Sequence, residues 1–311
     1  MDKKYVFGVD VGGTSVKIGL FLLDGTLQEK WEIPTNTNEN GMLILPDIKK
    51  SLDAKIEEKN IVREEILGVG MGVPGPVDAE GVVHKAVNLG WDQFPIQRDA
   101  KKLFGLPVKV GNDASVAALG ELWQGAAKGK KSLVLFTLGT GVGGGIIVDE
   151  KIVAGAVGGG GELGHAVVKF DEEIPCNCGN HGCLEQYASA TGIVRLAKEA
   201  MESGKFQTKL SAEDISAKAI ADLAKTGDPL CTFVLAEVGR FLGIVSSYAA
   251  CFIDPELILI GGGVSKAGDI VLEPIREVYK KYAFHSMKNT PIEVATLGND
   301  AGIYGSARQL L

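Results

Sequence analysis

The sequence predicts an α/β fold built on a repeated strand–loop–strand unit, and three observations carry that prediction. Short apolar strand runs lead into glycine-rich loops at three places, 12–13, 139–145 and 261–263. Residues 5–25 and 133–150 share one order: strand, Gly/Thr loop, strand, and a turn at an acidic residue. Segments with apolar residues at helical intervals, such as Leu43, Ile44, Ile48, Leu52 and Ile56, separate the strands, so helices and strands alternate.

A chain of 311 residues buries a sizeable core in one or two domains. Its 42 glycines are about twice the usual share of roughly 7%. They sit among apolar residues and threonine, which points to backbone-built binding loops and not to disorder. A net charge of −7 and a pI near 5.3 argue against a nucleic-acid or anionic-membrane partner. The N-terminus has no apolar core of signal-peptide length, and no run of about 20 uncharged apolar residues occurs, so a soluble cytoplasmic protein is expected. Five cysteines, three of them clustered, read as metal ligands in a reducing compartment. Cys231 and Cys251 fall on apolar faces and are expected to be buried thiols.

Taken in order, Tyr5–Val9 is a strand, followed by Asp10-Val11-Gly12-Gly13-Thr14 and a second strand, Val16–Leu22, that ends at the turn signal Asp24-Gly25. The glycine loop thus joins strand to strand. Gly12, Gly13 and Thr14 offer backbone N–H groups and a hydroxyl to phosphate oxygens, and Asp10 suits Mg²⁺, directly or through water. An ordinary hairpin with a solvated Asp10 is the alternative. A helix is predicted over 42–63 and a strand over 66–73, closed by Pro74-Gly75-Pro76 at the end where ligands bind in open α/β sheets. Trp91, in the loop Asn88-Leu89-Gly90-Trp91, fits either a sugar-stacking face or the core. The strand Val108–Val110 runs into Asn112-Asp113 and a small-residue helix over 114–127. Either residue caps that helix. Since one cap suffices, Asp113 is also placed to accept a hydroxyl proton, as aspartates do in kinases of several folds.

The strand 132–138 leads into Gly139-Thr140-Gly141-Val142-Gly143-Gly144-Gly145, which contains G-x-G-x-x-G. A dinucleotide fingerprint requires a helix next, whereas 146–153 reads as a hairpin, so that reading fails. No Walker sequence occurs. Cys176, Cys178 and Cys183, with His165 eleven residues ahead of the first, form a tetrahedral Zn²⁺ set without an open position. Glu162 and Glu185 bracket them, which suggests a polar pocket held by the metal. Helices are expected over 185–203, from a capping box at Ser211/Asp214 to Lys225, and over 230–252. The strand 256–260 ends in Gly261-Gly262-Gly263, where a base or ribose approaches the backbone closely. A helix (270–282), a strand (292–295) and a terminal helix (301–310) complete the chain.

These parts together resemble the two-lobed actin-like ATPase and sugar-kinase fold, ribonuclease H-like with a duplicated βββαβα core. The runs LGTGVGGG, GELGH at 161–165 and CNCGNHGCLE at 176–185 resemble, over the whole chain, the ROK family of sugar kinases and sugar-responsive repressors. The resemblance implies a small lobe of 1–115 plus 299–311, and a large lobe of 116–298 with the zinc site. It implies that Asp10 and the loops with Gly12, Gly13, Thr14, Gly139, Thr140, Gly141, Gly143 and Gly144 hold ATP phosphates and Mg²⁺. Gly261, Gly262 and Gly263 would lie near the adenosine. Asp113 would be the general base, while Asn112, Glu162, His165 and Glu185 bind sugar hydroxyls with Gly75 close by. His165 would serve zinc through one nitrogen and sugar through the other. The expected reaction is ATP-dependent phosphorylation of an aldohexose 6-hydroxyl by a homodimer. The loop Asn88–Trp91 resembles that of glucose-phosphorylating family members, which implies glucose ahead of fructose, mannose and the N-acetylhexosamines; polyphosphate remains open as donor. A repressor would need a DNA-binding segment ahead of Tyr5, and an actin-like filament protein would have no use for the cysteine cluster.

Overall fold

The computed structural model describes residues 2–311, which divide into two compact units. The first takes in the chain up to Gly129, Gly145–Gly161 and Asn299–Leu311; the second is Lys130–Gly144 with Glu162–Gly298.

The first unit opens with β1 (Tyr5–Val11), β2 (Ser15–Leu22) and β3 (Leu27–Pro34), an antiparallel meander. After a single turn, α1 (Asn38–Gly41), come α2 (Ile44–Glu58), β4 (Ile66–Val73), the hairpin of β5 (Val83–Ala86) and β6 (Trp91–Phe94), and α3 (Ile96–Phe104). Then follow β7 (Val108–Asn112) and α4 (Asp113–Gln124). The sheet order is β3-β2-β1-β4-β7, with β1, β4 and β7 parallel. Register sets Asp10 opposite Gly72 and Val73 opposite Asn112. Three parallel carboxyl ends therefore deliver Asp10, the Pro74–Pro76 loop and Asn112-Asp113 to one edge of one sheet.

The remaining elements are β8 (Leu133–Leu138), β9 (Val142–Val148), β10 (Lys151–Ile152), α5 (Glu185–Ala188), α6 (Ala190–Glu202), α7 (Ala217–Lys225) and α8 (Pro229–Ile253). They end with β11 (Leu257–Gly261), α9 (Asp269–Tyr282), β12 (Ile292–Val294) and α10 (Ala301–Arg308). The second sheet has the order β10-β9-β8-β11-β12, and the unit boundary falls within β9. Here β8 and β11 are parallel, with Gly261 opposite Thr137, so two glycine loops emerge side by side. The two sheets repeat one arrangement, as the duplicated loops predict.

In the first unit α10 lies across β1 and β4. A Cβ on Gly8 would stand 1.9 Å from the Ile303 carbonyl oxygen, and one on Gly70 would stand 1.6 Å from that of Ser306. The glycines in these strands are what admit the helix. The expected lobe boundary at 115/116 falls inside α4, which packs on α10 in the first unit.

Several boundaries differ from expectation for local reasons. The predicted helix 185–203 is broken at Ser189, whose extended backbone (ψ 166) and Oγ, accepting the Gly192 N–H, start a new helix. The Ser211/Asp214 box does not open a helix. Ser211 Oγ instead accepts from Glu213 N in a turn, and α7 begins after Ser216, which accepts from Ala219 N. Cys231 is buried as expected, but Cys251 is exposed on α8. α8 is long and apolar enough to cross a bilayer, yet two-thirds of its most apolar stretch is buried within the protein, as in a core helix.

Candidate active site and metal centre

In the first unit the strand ends build one polar constellation. Asn112 is the N-cap of α4: its Oδ1 accepts from Ser115 N at 3.0 Å while its Nδ2 donates to the Gly75 carbonyl at 3.2 Å. With the cap assigned to Asn112, Asp113 occupies the first helical position and accepts from Ala114 N at 2.8 Å. Gly75 has φ +87, a left-handed value that a side chain resists, so the glycine keeps its carbonyl turned toward Asn112. The loop Gly12–Thr14 is pinned by Thr35, whose hydroxyl donates to Gly12 O at 2.7 Å and whose N–H donates to Thr14 O at 2.9 Å. Trp91 belongs to the core, 3% exposed against Phe94, so it has no open face for a ring to stack upon.

Asp10 is half-buried, and desolvation, helped by the charge of Asp113, pushes its carboxyl up to about 6 against the pull of Lys17. The carboxylate also touches the first turn of α10, because a Cβ on Gly302 would come within 2.6 Å of it. Such a group is poised to take a cation in place of a proton. The raised value means that ionising Asp10 costs stability, a penalty absent below about pH 4 and complete above about pH 6. Asp10→Asn should therefore stabilise the metal-free protein at pH 7.5, by at most about 3 kcal/mol, and give no gain at pH 4. Urea unfolding at the two pH values checks this.

The second unit carries the other half of the predicted residues. His165, Cys176, Cys178 and Cys183 present donor atoms that all lie within 4.8 Å of one another. Three sulfurs and one imidazole nitrogen at such separations fit a single tetrahedral ion at ordinary bond lengths. Burial pushes the Cys183 thiol up to about 12 and raises Cys176, whereas N–H and thiol hydrogen bonds outweigh burial and lower Cys178. His165 turns Nδ1 toward Cys176 Sγ at 3.8 Å and Nε2 toward Glu162 at 3.9 Å, so its two nitrogens face two different tasks. Glu185 begins α5; one carboxylate oxygen accepts from Val142 N at 3.1 Å and the other lies 3.7 Å from Cys176 Sγ.

The glycine segment after β8 is shorter than its sequence suggests. Gly139, Thr140 and Gly141 form the loop, but Gly143 and Gly144 lie within β9. Gly261 ends β11, while Gly262 (φ +83) and Gly263 follow it. Gly139 and Gly263 share a cavity of about 320 Å³ with Ala190, Ala217, Lys218 and Ala221. That size and its mainly apolar wall suit a flat base. The α7 wall was not foreseen from sequence, where Ala217 and Ala221 carry only the ordinary signal of a helix face.

The segment ahead of the cysteines is anchored by Glu172, a buried carboxylate that accepts from the Tyr187 hydroxyl, from Arg195 at 3.0 Å and from Ile174 N at 3.1 Å. Burial raises its carboxyl, but these bonds prevail and hold it at about 2. A lowered acid contributes stability above the unfolded value near 4.5 and loses it as pH falls toward 2. Glu172→Gln should cost on the order of 3 kcal/mol at pH 7 and far less at pH 3, as read by urea denaturation at both pH values.

The ROK family model matches residues 6–310. Glucokinase of Halalkalibacterium halodurans is 41% identical over 311 residues, covering 98% of this chain and 94% of the relative. Glucokinase of Thermotoga maritima is 38% identical, covering 99% and 97%. Among solved structures, a ROK family glucokinase from Streptomyces griseus in complex with glucose and AMPPNP superposes with a TM-score of 0.77 at 33% identity, covering 98% of each chain.

Proposed function

The chain belongs to the ROK family, and we propose that it is an ATP-dependent hexose kinase transferring the γ-phosphoryl group to the 6-hydroxyl of an aldohexose, glucose above all. The observation that carries this reading is Asp113 at the first position of α4 with the cap supplied by Asn112, which supports Asp113 as the base. The glucose and AMPPNP bound by the Streptomyces griseus relative support the ligand pair.

In the proposed mechanism Asp113 accepts the proton of the sugar 6-hydroxyl as the oxygen–phosphorus bond forms and the bond to the ADP oxygen breaks. Backbone N–H groups of Gly12–Thr14 and Gly139–Gly141 stabilise the phosphate charge. Asp10 would hold Mg²⁺ through water, and the ion would supply positive charge to offset that of the transferring phosphoryl group. Asn112, Glu162, His165 and Glu185 bind the remaining sugar hydroxyls, near Gly75. His165, Cys176, Cys178 and Cys183 would hold Zn²⁺, which supplies a fixed tether; with His165 Nδ1 on the metal, its Nε2–H is left to donate to sugar. The adenosine occupies the cavity beside Gly261–Gly263. Family membership also carries the expectation of a homodimer, which sedimentation equilibrium checks.

An ADP-release assay with ATP and Mg²⁺ across glucose, fructose, mannose and the N-acetylhexosamines tests the reading. Glucose should give the highest kcat/KM. Preference for an N-acetylated sugar would retain the mechanism and overturn the acceptor. No turnover from zinc-replete protein would favour a sugar sensor.

A further inference from the structure

One segment of the second unit, from Glu185 to Thr191, grips the loop Gly139–Val142 at three points. Ala190 N–H donates to Gly139 O at 2.8 Å, the Thr191 hydroxyl donates to Thr140 O at 2.9 Å, and Val142 N–H donates to Glu185 Oε2 at 3.1 Å. The approach is close: a Cβ on Gly141 would stand 2.1 Å from Glu185 Oε2 and would push that carboxylate aside. The gripping segment is itself rigid. Ser189, fully buried, donates to Glu185 O at 2.6 Å, lies 2.9 Å from the Thr191 hydroxyl and caps α6 through Gly192 N. At its other end Gln186 accepts from Cys183 N at 3.1 Å, which ties the segment to the cysteine cluster.

Resting on the kinase reading above, we propose that this segment is a clasp that makes sugar and nucleotide binding cooperative, with Thr191 as a positioning residue of the nucleotide loop. Glu185 serves two partners. A sugar hydroxyl that donates to one carboxylate oxygen fixes the side chain, and the other oxygen then holds Val142 N–H in place. The carbonyls of Gly139 and Thr140 are held by the same segment, so the loop is pre-ordered for phosphate whenever sugar is bound. Preordering removes part of the entropy cost that the nucleotide otherwise bears. Linkage requires the effect to be mutual: nucleotide must strengthen sugar binding by the same factor.

Calorimetry with Mg·AMPPNP and glucose on the zinc-replete protein tests this. In the wild type, saturating glucose should tighten AMPPNP binding about fivefold or more, and AMPPNP should tighten glucose binding equally. Thr191→Val keeps the side-chain volume but loses the bond to Thr140 O. It should lower that enhancement toward one, since the hydrogen bond lost is worth roughly two- to tenfold, while glucose affinity without nucleotide and zinc content stay at wild-type values. In turnover, KM for ATP should rise with kcat within about twofold, the signature of lost ground-state positioning. Thr191→Ser, which restores the hydroxyl, should restore the coupling. If both ligands bind the wild type independently, or if Thr191→Val couples them as strongly as the wild type, the clasp proposal is wrong and the kinase reading stands. If neither ligand binds, the kinase reading falls and takes the clasp with it.

Discussion

Replacing Asp113 with asparagine is expected to lower kcat by roughly 10²–10⁴-fold, the usual range for removal of a general base, while glucose affinity stays near that of the wild type. The amide has the same shape and still accepts the Ala114 N–H that fixes the side chain in α4. What it lacks is the ability to take a proton. The cap of the helix is unaffected, because Asn112 supplies it. Rapid-quench measurement of kcat together with calorimetric glucose binding separates the two effects. A variant within tenfold of wild-type kcat would remove Asp113 from the role of base. A variant that lost glucose binding in proportion to turnover would make it a binding residue.

The second large effect concerns the metal centre. Cys183 is fully buried and its sulfur lies 3.6 Å from that of Cys178. Cys183→Ala should abolish stoichiometric zinc, as read by atomic absorption on protein purified without chelator. The same variant should lose glucose binding, since His165 and Glu185 are both set by the cluster. Structural zinc contributes on the order of 10 kcal/mol to the folding of small zinc modules, so the loop 165–185 should also become protease-sensitive. Exposure of the wild type to a strong chelator should reproduce the variant, and added Zn²⁺ should reverse it only in the wild type. Full glucose affinity in a zinc-free variant would show that the cysteines stabilise the loop and leave the sugar site alone.

Much of this site was legible because its chemistry is written in residues close together in the chain. C-x-C-x4-C with a histidine upstream names a metal before any fold is known. A glycine loop after an apolar strand reads as a candidate backbone anion site in the same way. Asn112-Asp113 left the helix cap open between two adjacent residues, and the structure resolves the cap by which side chain reaches Ser115 N. The failures share a different cause. Gly143 and Gly144 read as loop because glycine carries no strand signal, yet β-ladder pairing extends β9 back to Val142. The helix break at Ser189 and the late start of α7 depend on single serine hydroxyls bonding to the backbone, which periodicity does not register. The edge strand β3 and the hairpin β5–β6 went unrecognised. β3 alternates half-buried and exposed residues in a Glu- and Lys-rich stretch, and β5–β6 is only four residues a side. The Glu172–Tyr187–Arg195 network and the α7 wall of the cavity beside Gly139 and Gly263 join residues that only the packed structure brings together.

The central claim, phosphoryl transfer from ATP to the sugar 6-hydroxyl, is tested most directly by identifying the product. Purified protein, ATP, Mg²⁺ and glucose would be followed by ³¹P–¹H correlation NMR. The account predicts a new phosphomonoester whose phosphorus couples to the two H6 protons of glucose, formed in step with ADP. Inorganic phosphate released in its place, or coupling to the anomeric proton, would contradict it.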